Sequence, residues 1–220
     1  MSRIQPNSPP QYLTGHFIVF EGGEGAGKTT QIERSRLWLQ KQLSLDTPIL
    51  VTREPGGSPL GQALRHILLE GESIPDLTEL LLYAADRAHH VAEVLQPALA
   101  EGAIILCDRF TDSTIAYQGY GRGLDLTLIE QLNRIASQGL ESSLTLWLDV
   151  EVERGLARTH QRGKRDRLDQ ADLAFHQRVQ QGFRTLAAQF PQRIIPIDAN
   201  GSEEQVATKI QEILTKWFNA

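Results

Sequence analysis

The stretch of this chain best equipped for chemistry is Glu21-Gly22-Gly23-Glu24-Gly25-Ala26-Gly27-Lys28-Thr29-Thr30, entered from the apolar run Phe17-Ile18-Val19-Phe20. From Gly22 the spacing is G-x-x-x-x-G-K-T, the pattern of a phosphate-binding loop, or P-loop. Glycines permit positive φ and close backbone approach, so successive N–H groups can point at one anion. A helix beginning near Lys28 adds the positive end of its dipole. Lys28 can reach β- and γ-phosphates, and the Thr29 hydroxyl can ligate Mg²⁺. A glycine turn that only joined strand to helix would not need Lys-Thr in this register. Residues Gly22, Gly23, Glu24, Gly25, Ala26, Gly27, Lys28, Thr29 and Thr30 are therefore read as the cradle of a nucleoside triphosphate.

Three further polar clusters follow apolar runs. Five such runs read as strands, His16–Glu21, Pro48–Thr52, Ala103–Asp108, Leu144–Asp149 and Arg193–Asp198, and helix-like patterns separate them. That alternation predicts an α/β fold, a parallel five-stranded sheet covered by helices on both faces. Right-handed crossovers place the loops after the strand C-termini along one edge, where ligands of open α/β sheets bind. Glu21 with the glycine loop, Arg53-Glu54, Asp108-Arg109 and Asp149 converge there. Between strands, Thr30–Leu43 carries Ile32, Leu37, Leu39 and Leu43, and Pro59–Leu69 carries Leu60, Leu64, Ile67 and Leu68 at helical spacing. Leu77–Leu99 reads as one long helix ending near Pro97. Glu203–Phe218 puts Val206, Ile210, Ile213, Leu214, Trp217 and Phe218 on one stripe that should dock on the sheet.

At 220 residues and 40% hydrophobic content, the chain suits one α/β domain over residues 15–220 with a short lid. Residues 1–14 are polar and proline-containing and read as a flexible extension. A net charge of −5 argues against a nucleic-acid polymer as partner, and no apolar run approaches a membrane span. The single cysteine, Cys107, lies in an apolar run and reads as a buried small hydrophobe in a reducing cytoplasm. Basic residues concentrate between Arg158 and Arg167, which suits a small polyanionic ligand. The six histidines show no ligand spacing for zinc. No Asn-Lys-x-Asp element of a guanine-reading switch is present.

Further segments match a known family in order and spacing: Thr52-Arg53-Glu54-Pro55-Gly56-Gly57, Leu81-Leu82-Tyr83-Ala84-Ala85-Asp86-Arg87, Asp108-Arg109-Phe110, Ala116-Tyr117-Gln118-Gly119 and the basic stretch through Arg167. With the glycine loop, they make the chain resemble bacterial thymidylate kinases from about Phe17 to the C-terminus. Tyr120 departs from the small residue common at that position before Gly121-Arg122-Gly123. The resemblance implies transfer of a phosphoryl group from ATP to dTMP with Mg²⁺, in a cytoplasmic homodimer with a nucleoside monophosphate kinase-like fold. It implies that Tyr83 stacks on thymine and that Arg87, on the same helical face, reads the base carbonyl. Arg53 and Arg109 would hold the dTMP phosphate, where a planar guanidinium binds bidentately. Tyr117 would crowd a ribose 2′-OH, Gln118 would reach the pyrimidine edge, and Ser113 would add a polar contact. Glu24 would sit near the acceptor's sugar or the Mg²⁺ network, and Asp108 would hold hydrated Mg²⁺ or orient Arg109.

Some members carry an arginine inside the P-loop; here Gly23, Glu24, Gly25 and Ala26 occupy the variable positions. Phosphoryl transfer spreads charge onto equatorial oxygens, and one arginine can contribute about 10³–10⁵ in rate. Similarity to the subtype lacking that arginine places the role in a lid at about 155–170, with Arg162 and Arg167 as the catalytic candidates beside Lys28 and Arg109. Two other readings stay open: another pyrimidine deoxynucleoside monophosphate kinase, and a nucleotide-dependent switch.

Overall fold

Five stretches rich in β-branched and aromatic residues form β1 (His16–Glu21), β2 (Ile49–Arg53), β3 (Ile104–Asp108), β4 (Leu144–Asp149) and β5 (Ile194–Asp198). The computed structural model describes residues 15–43, 47–161 and 171–219. The strands make one parallel sheet in the order β2-β3-β1-β4-β5, so β1 is central. Its Phe17, Ile18, Val19 and Phe20 are at most 1% exposed, as a strand covered on both faces requires. β2 begins one residue later than its apolar pattern suggests. Pro48 has no N–H to donate, and it joins the ladder only by accepting from the Ile104 amide.

Side chains alternate across β1, and each face has its own helices. Ile18 and Phe20 pack with Ile32 and Leu39 of α1 (Lys28–Gln42) and with Val206, Ile210 and Leu214 of α9 (Glu203–Phe218). A capping box between Ser202 and Gln205 starts α9, and His16 meets the edges of Trp217 and Phe218 near its end. On the other face Phe17 and Val19 pack against Val91, Leu95, Leu99 and Phe110. Cys107 is buried in the same cluster. Not every apolar residue at helical spacing turns inward. Leu37 of α1, and Leu60 and Ile67 of α2 (Pro59–Leu69), are exposed, whereas Gln31, Ser35, Leu68 and Leu69 are buried.

The long helix does not end at Pro97. α3 (Asp76–His90) runs into a wide π-helical turn, Val91–Leu95, and continues as α4 (Gln96–Ala100). A widened turn relaxes the backbone ladder where proline lacks an N–H, so the chain continues through it. A second π-helical segment, Ile115–Gly121, follows the single turn α5 (Thr111–Thr114) and leads to α6 (Leu126–Ala136). α7 (Val152–Gln161) follows β4, and α8 (Leu173–Gln189) aligns Phe175, Val179, Phe183 and Leu186 against Tyr117 and Trp147.

α7 touches the glycine loop backbone to backbone. A Cβ built at Gly25, where φ is +65°, would lie 2.1 Å from the Gly155 carbonyl oxygen. One built at Gly155 would lie 2.3 Å from the Glu24 carbonyl oxygen. No side chain, an arginine included, fits between them. Within a helix, Gly→Ala normally stabilises by about 1 kcal/mol. Gly155→Ala should do the opposite, lowering stability by about 1–3 kcal/mol, because overpacking against backbone outweighs propensity. Chemical unfolding of both proteins checks the sign; a stabilised variant would show that α7 does not rest on the loop.

Candidate active site

The C-terminal edge of the sheet holds a cavity of about 200 Å³. Its wall brings together Glu24, Gly25, Ala26, Gly27, Lys28, Thr29 and Thr30 with Arg53, Tyr83, Arg87, Asp108, Arg109, Ser113, Tyr117 and Gln118. The strands contribute at their ends, β1 through the loop into α1, β2 through Arg53 and β3 through Asp108 and Arg109, and α3 contributes Tyr83 from its middle and Arg87 from its last turn. Gly22 and Gly23 stand behind this wall. Their carbonyls accept from the Lys28 ammonium at 2.9 and 3.1 Å, which holds the lysine across its own loop. Gly27, at φ +91°, is the residue from which α1 departs. Arg162 and Arg167 lie outside the described residues, as do Lys164 and Arg165. Arg158, at the near end of the same basic stretch, donates to the Gly25 and Ala199 carbonyls at 3.3 Å.

Arg109 is the junction of the site. Its backbone sits at φ +73°, a strained setting for a residue with a side chain. One guanidinium nitrogen donates to the Gly22 carbonyl and the Ser113 hydroxyl at 3.1 and 3.2 Å. The other donates to Glu24 Oε1 at 2.8 Å, and the group lies 4.7 Å from the centre of the Tyr117 ring. Tyr117 donates its hydroxyl to the same Glu24 oxygen at 2.7 Å. Burial alone would raise the Glu24 carboxyl, but Arg109, Lys28 and the Tyr117 hydrogen bond pull it down to about 2. Lys28 moves the opposite way for a cation: burial and the nearby Arg109 lower its pKa, so its ammonium is primed for a negative partner.

Several side chains at the site were given no role by the sequence, although Glu21 and Glu54 were placed at this edge. Glu21, the last residue of β1, is fully buried and anchors the next loop over. It accepts from the Phe110 and Ser113 amides at 2.9 and 3.1 Å and from the Ser113 hydroxyl at 2.5 Å. Glu54 bonds Arg87 and His90, and Glu79 accepts from Gln118 at 2.8 Å. Arg65 of α2 also lines the cavity and donates to the Pro55 carbonyl at 2.9 Å. A carboxylate at the end of an apolar run was the available signal for Glu21. A lone arginine on a helix gave none for Arg65. The cavity wall carries five cationic side chains, Lys28, Arg53, Arg65, Arg87 and Arg109, against Glu24, Glu54 and Asp108. Glu24 and Glu54 are each committed to an arginine, so the surplus charge favours a polyanion.

A parallel sheet of this order, with a glycine loop between its central strand and α1 and two further arginine-bearing loops at the same edge, defines a P-loop phosphotransferase of the nucleoside monophosphate kinase type. The family model described as thymidylate kinase matches residues 20–210. A thymidylate kinase of Cyanothece sp. is 58% identical, covering 92% of this chain and 94% of its own. One from Trichodesmium erythraeum is 54% identical over 92% and 96% of the two chains. The crystal structure of thymidylate kinase from Ehrlichia chaffeensis superposes with a TM-score of 0.77 at 32% identity, covering 91% of this chain and 98% of its own. The chain belongs to the thymidylate kinase family.

Glu21 offers a test of this electrostatic layout. Burial and the neighbouring Asp112 raise its carboxyl to about 7, against the lowering effects of Arg109, Ser113 and the Phe110 amide. A carboxyl whose pKa is raised on folding stabilises the fold below its unfolded value near 4.5, and that stability is lost as pH climbs through about 7. Glu21→Gln removes the titration and keeps an amide of similar shape. Its stability relative to wild type should rise between pH 5 and pH 8, by urea unfolding; a difference independent of pH would contradict the assignment.

Proposed function

We propose that this protein catalyses ATP + dTMP → ADP + dTDP, with ATP phosphates on the P-loop and dTMP between Arg109 and Tyr83. The observation that carries this reading is one continuous cavity. Its wall runs from Lys28 and Thr29 to Tyr83 and Arg87, with Arg53 and Arg109 among its cations. A dTMP phosphate oxygen attacks the γ-phosphorus of ATP in line; the new O–P bond forms as the bond to the β-phosphate oxygen breaks, and ADP leaves.

Lys28 and the loop amides hold the donor phosphates, and Arg53 and Arg109 align the acceptor phosphate. Tyr83 offers an aromatic face to the base; such stacking is worth about 1–3 kcal/mol in single-stranded nucleic acids. Tyr117 lies beside the sugar and excludes a 2′-OH, and Gln118 and Ser113 complete the polar wall. Arg162 and Arg167 are assigned to stabilise the transferring group. The packing of Gly155 on Gly25 supports that assignment, because it leaves no room for an arginine at position 25 of the loop. Mg²⁺ fits the residues present: Asp108 Oδ1 is buried without a partner among the described residues, and Thr29 lines the same cavity. When bound, the ion would neutralise charge on the donor phosphates. No group of three or more His, Cys, Asp or Glu that could hold a metal occurs among the described residues, which suits an ion carried mainly by the nucleotide.

We further read the protein as a cytoplasmic homodimer. Leu60 and Ile67 expose a stripe on α2, and Leu77 and Leu81 expose one on the neighbouring α3, which supports a self-association surface. No helix among the described residues is long and apolar enough to cross a membrane.

Steady-state kinetics with ATP and a panel of acceptors tests the reading. dTMP should have the highest kcat/KM. dUMP should fall by the roughly 10–200-fold that one apolar group contributes in a pocket, with UMP lower still. A preference for UMP or dCMP would overturn the acceptor. Triphosphate binding without transfer to any monophosphate would favour a switch.

A further inference from the structure

We propose that His90 and Asn133, neither of which lies on the cavity wall, are positioning residues that set the choice of acceptor base by holding Arg87 in one orientation. The proposal rests on the reading of Arg87 as the base-facing arginine.

A guanidinium carries five N–H donors and no acceptor. In Arg87, Nε donates to Glu54 Oε2 at 2.8 Å, one terminal nitrogen to Asn133 Oδ1 at 2.6 Å, and the other to the Phe110 carbonyl at 3.0 Å. The guanidinium also lies 5.2 Å from the centre of the Phe110 ring. One N–H on each terminal nitrogen is left without a protein acceptor among the described residues, and Arg87 lines the cavity. Donors fixed in this way can receive the 4-carbonyl of thymine or uracil. They cannot pair with the 4-amino group of cytosine, which donates where they donate.

The orientation depends on residues farther back. Glu54 Oε1 is held by His90 Nδ1 at 2.9 Å, and His90 Nε2 lies 2.7 Å from the Thr52 hydroxyl. A carboxylate only accepts, so Nδ1 carries the donated proton. Glu54 is 4% exposed and His90 0% exposed. Removing the imidazole strands a buried carboxylate oxygen, which is costly enough to favour rotation of Glu54. Arg87 would then lose its Nε anchor. Asn133, donating its own amide to the Thr111 carbonyl at 3.2 Å, fixes the other end of the fork from α6. β2, α3 and α6 thus meet at one guanidinium, which lines the ligand space beside its partners Glu54 and Phe110, while His90 and Asn133 stand behind it.

A purely structural network would change stability, or activity toward all acceptors alike. The proposal requires a change in the ratio between acceptors. Wild type, His90→Leu, His90→Asn and Asn133→Ala would be assayed with ATP and dTMP, dUMP or dCMP, with folding followed by circular dichroism. His90→Leu and Asn133→Ala should each lower the dTMP-to-dCMP ratio of kcat/KM at least about tenfold, through a raised KM for dTMP with kcat changed less. In His90→Asn the amide nitrogen occupies the place of Nδ1, so most of the ratio should return. If His90→Leu does not fold, Thr52→Val, which loosens only the outer contact, should still lower the ratio measurably. Ratios equal to wild type in the folded variants would overturn the proposal. A wild-type protein that does not favour dTMP over dCMP would instead overturn the acceptor reading on which it rests.

Discussion

The site depends on one ion pair, Arg109 with Glu24, that ties the loop after β3 to the P-loop. Two strands running side by side deliver these loops to the same edge: Phe20 pairs with Asp108, one residue before Arg109. Arg109 is then carried over the P-loop by a positive-φ backbone. Glu21 stabilises that setting from beneath by receiving three hydrogen bonds from the segment Phe110–Ser113. The P-loop and the loop after β3 are thereby held by shared side chains, and under the proposed function a nucleophile and its target would be aligned without a separate device.

The same groups explain why the cavity can hold so much charge. Glu24 neutralises Arg109, and Glu54 neutralises Arg87 while accepting from His90. Each pair keeps an arginine oriented with hydrogen bonds to spare for a ligand. Such pairs contribute little net stability, since desolvation offsets much of their attraction, and their value lies in fixing geometry. Glu21 and Asp86 stand on the other side of that balance. Burial and a neighbouring carboxylate raise Glu21 to about 7 and Asp86 to about 6, marking places where the fold carries an electrostatic cost to build the site.

Much of this was legible in the sequence, for physical reasons. Central parallel strands are buried on both faces, so Phe17–Phe20 and Ile104–Cys107 read as continuous apolar runs. The loop from Gly22 to Thr30 stood out by residue type and spacing, and Glu24 to Thr30 line the cavity. What stayed hidden depends on tertiary contact. The π-helical turn that presents Tyr117 and Gln118 leaves no periodicity, because seven residues are too few to show one. Gly155 reads as an unfavourable helix residue until its approach to the Glu24 carbonyl is seen. Spacing alone could not rank faces: Leu37 and Leu60 are exposed while Gln31 and Ser35 are buried. Pairings such as Asp112 with Arg193 join residues 81 apart in the chain.

Glu24 and Arg109 act as one unit across the P-loop and the loop after β3. A double-mutant cycle on kcat/KM for dTMP, using Glu24→Gln, Arg109→Lys and the double variant, measures this directly. The shared hydrogen bond should give a coupling of about 1 kcal/mol or more, well outside the roughly 0.3–0.5 kcal/mol scatter of independent sites. Additive losses within that scatter would contradict it.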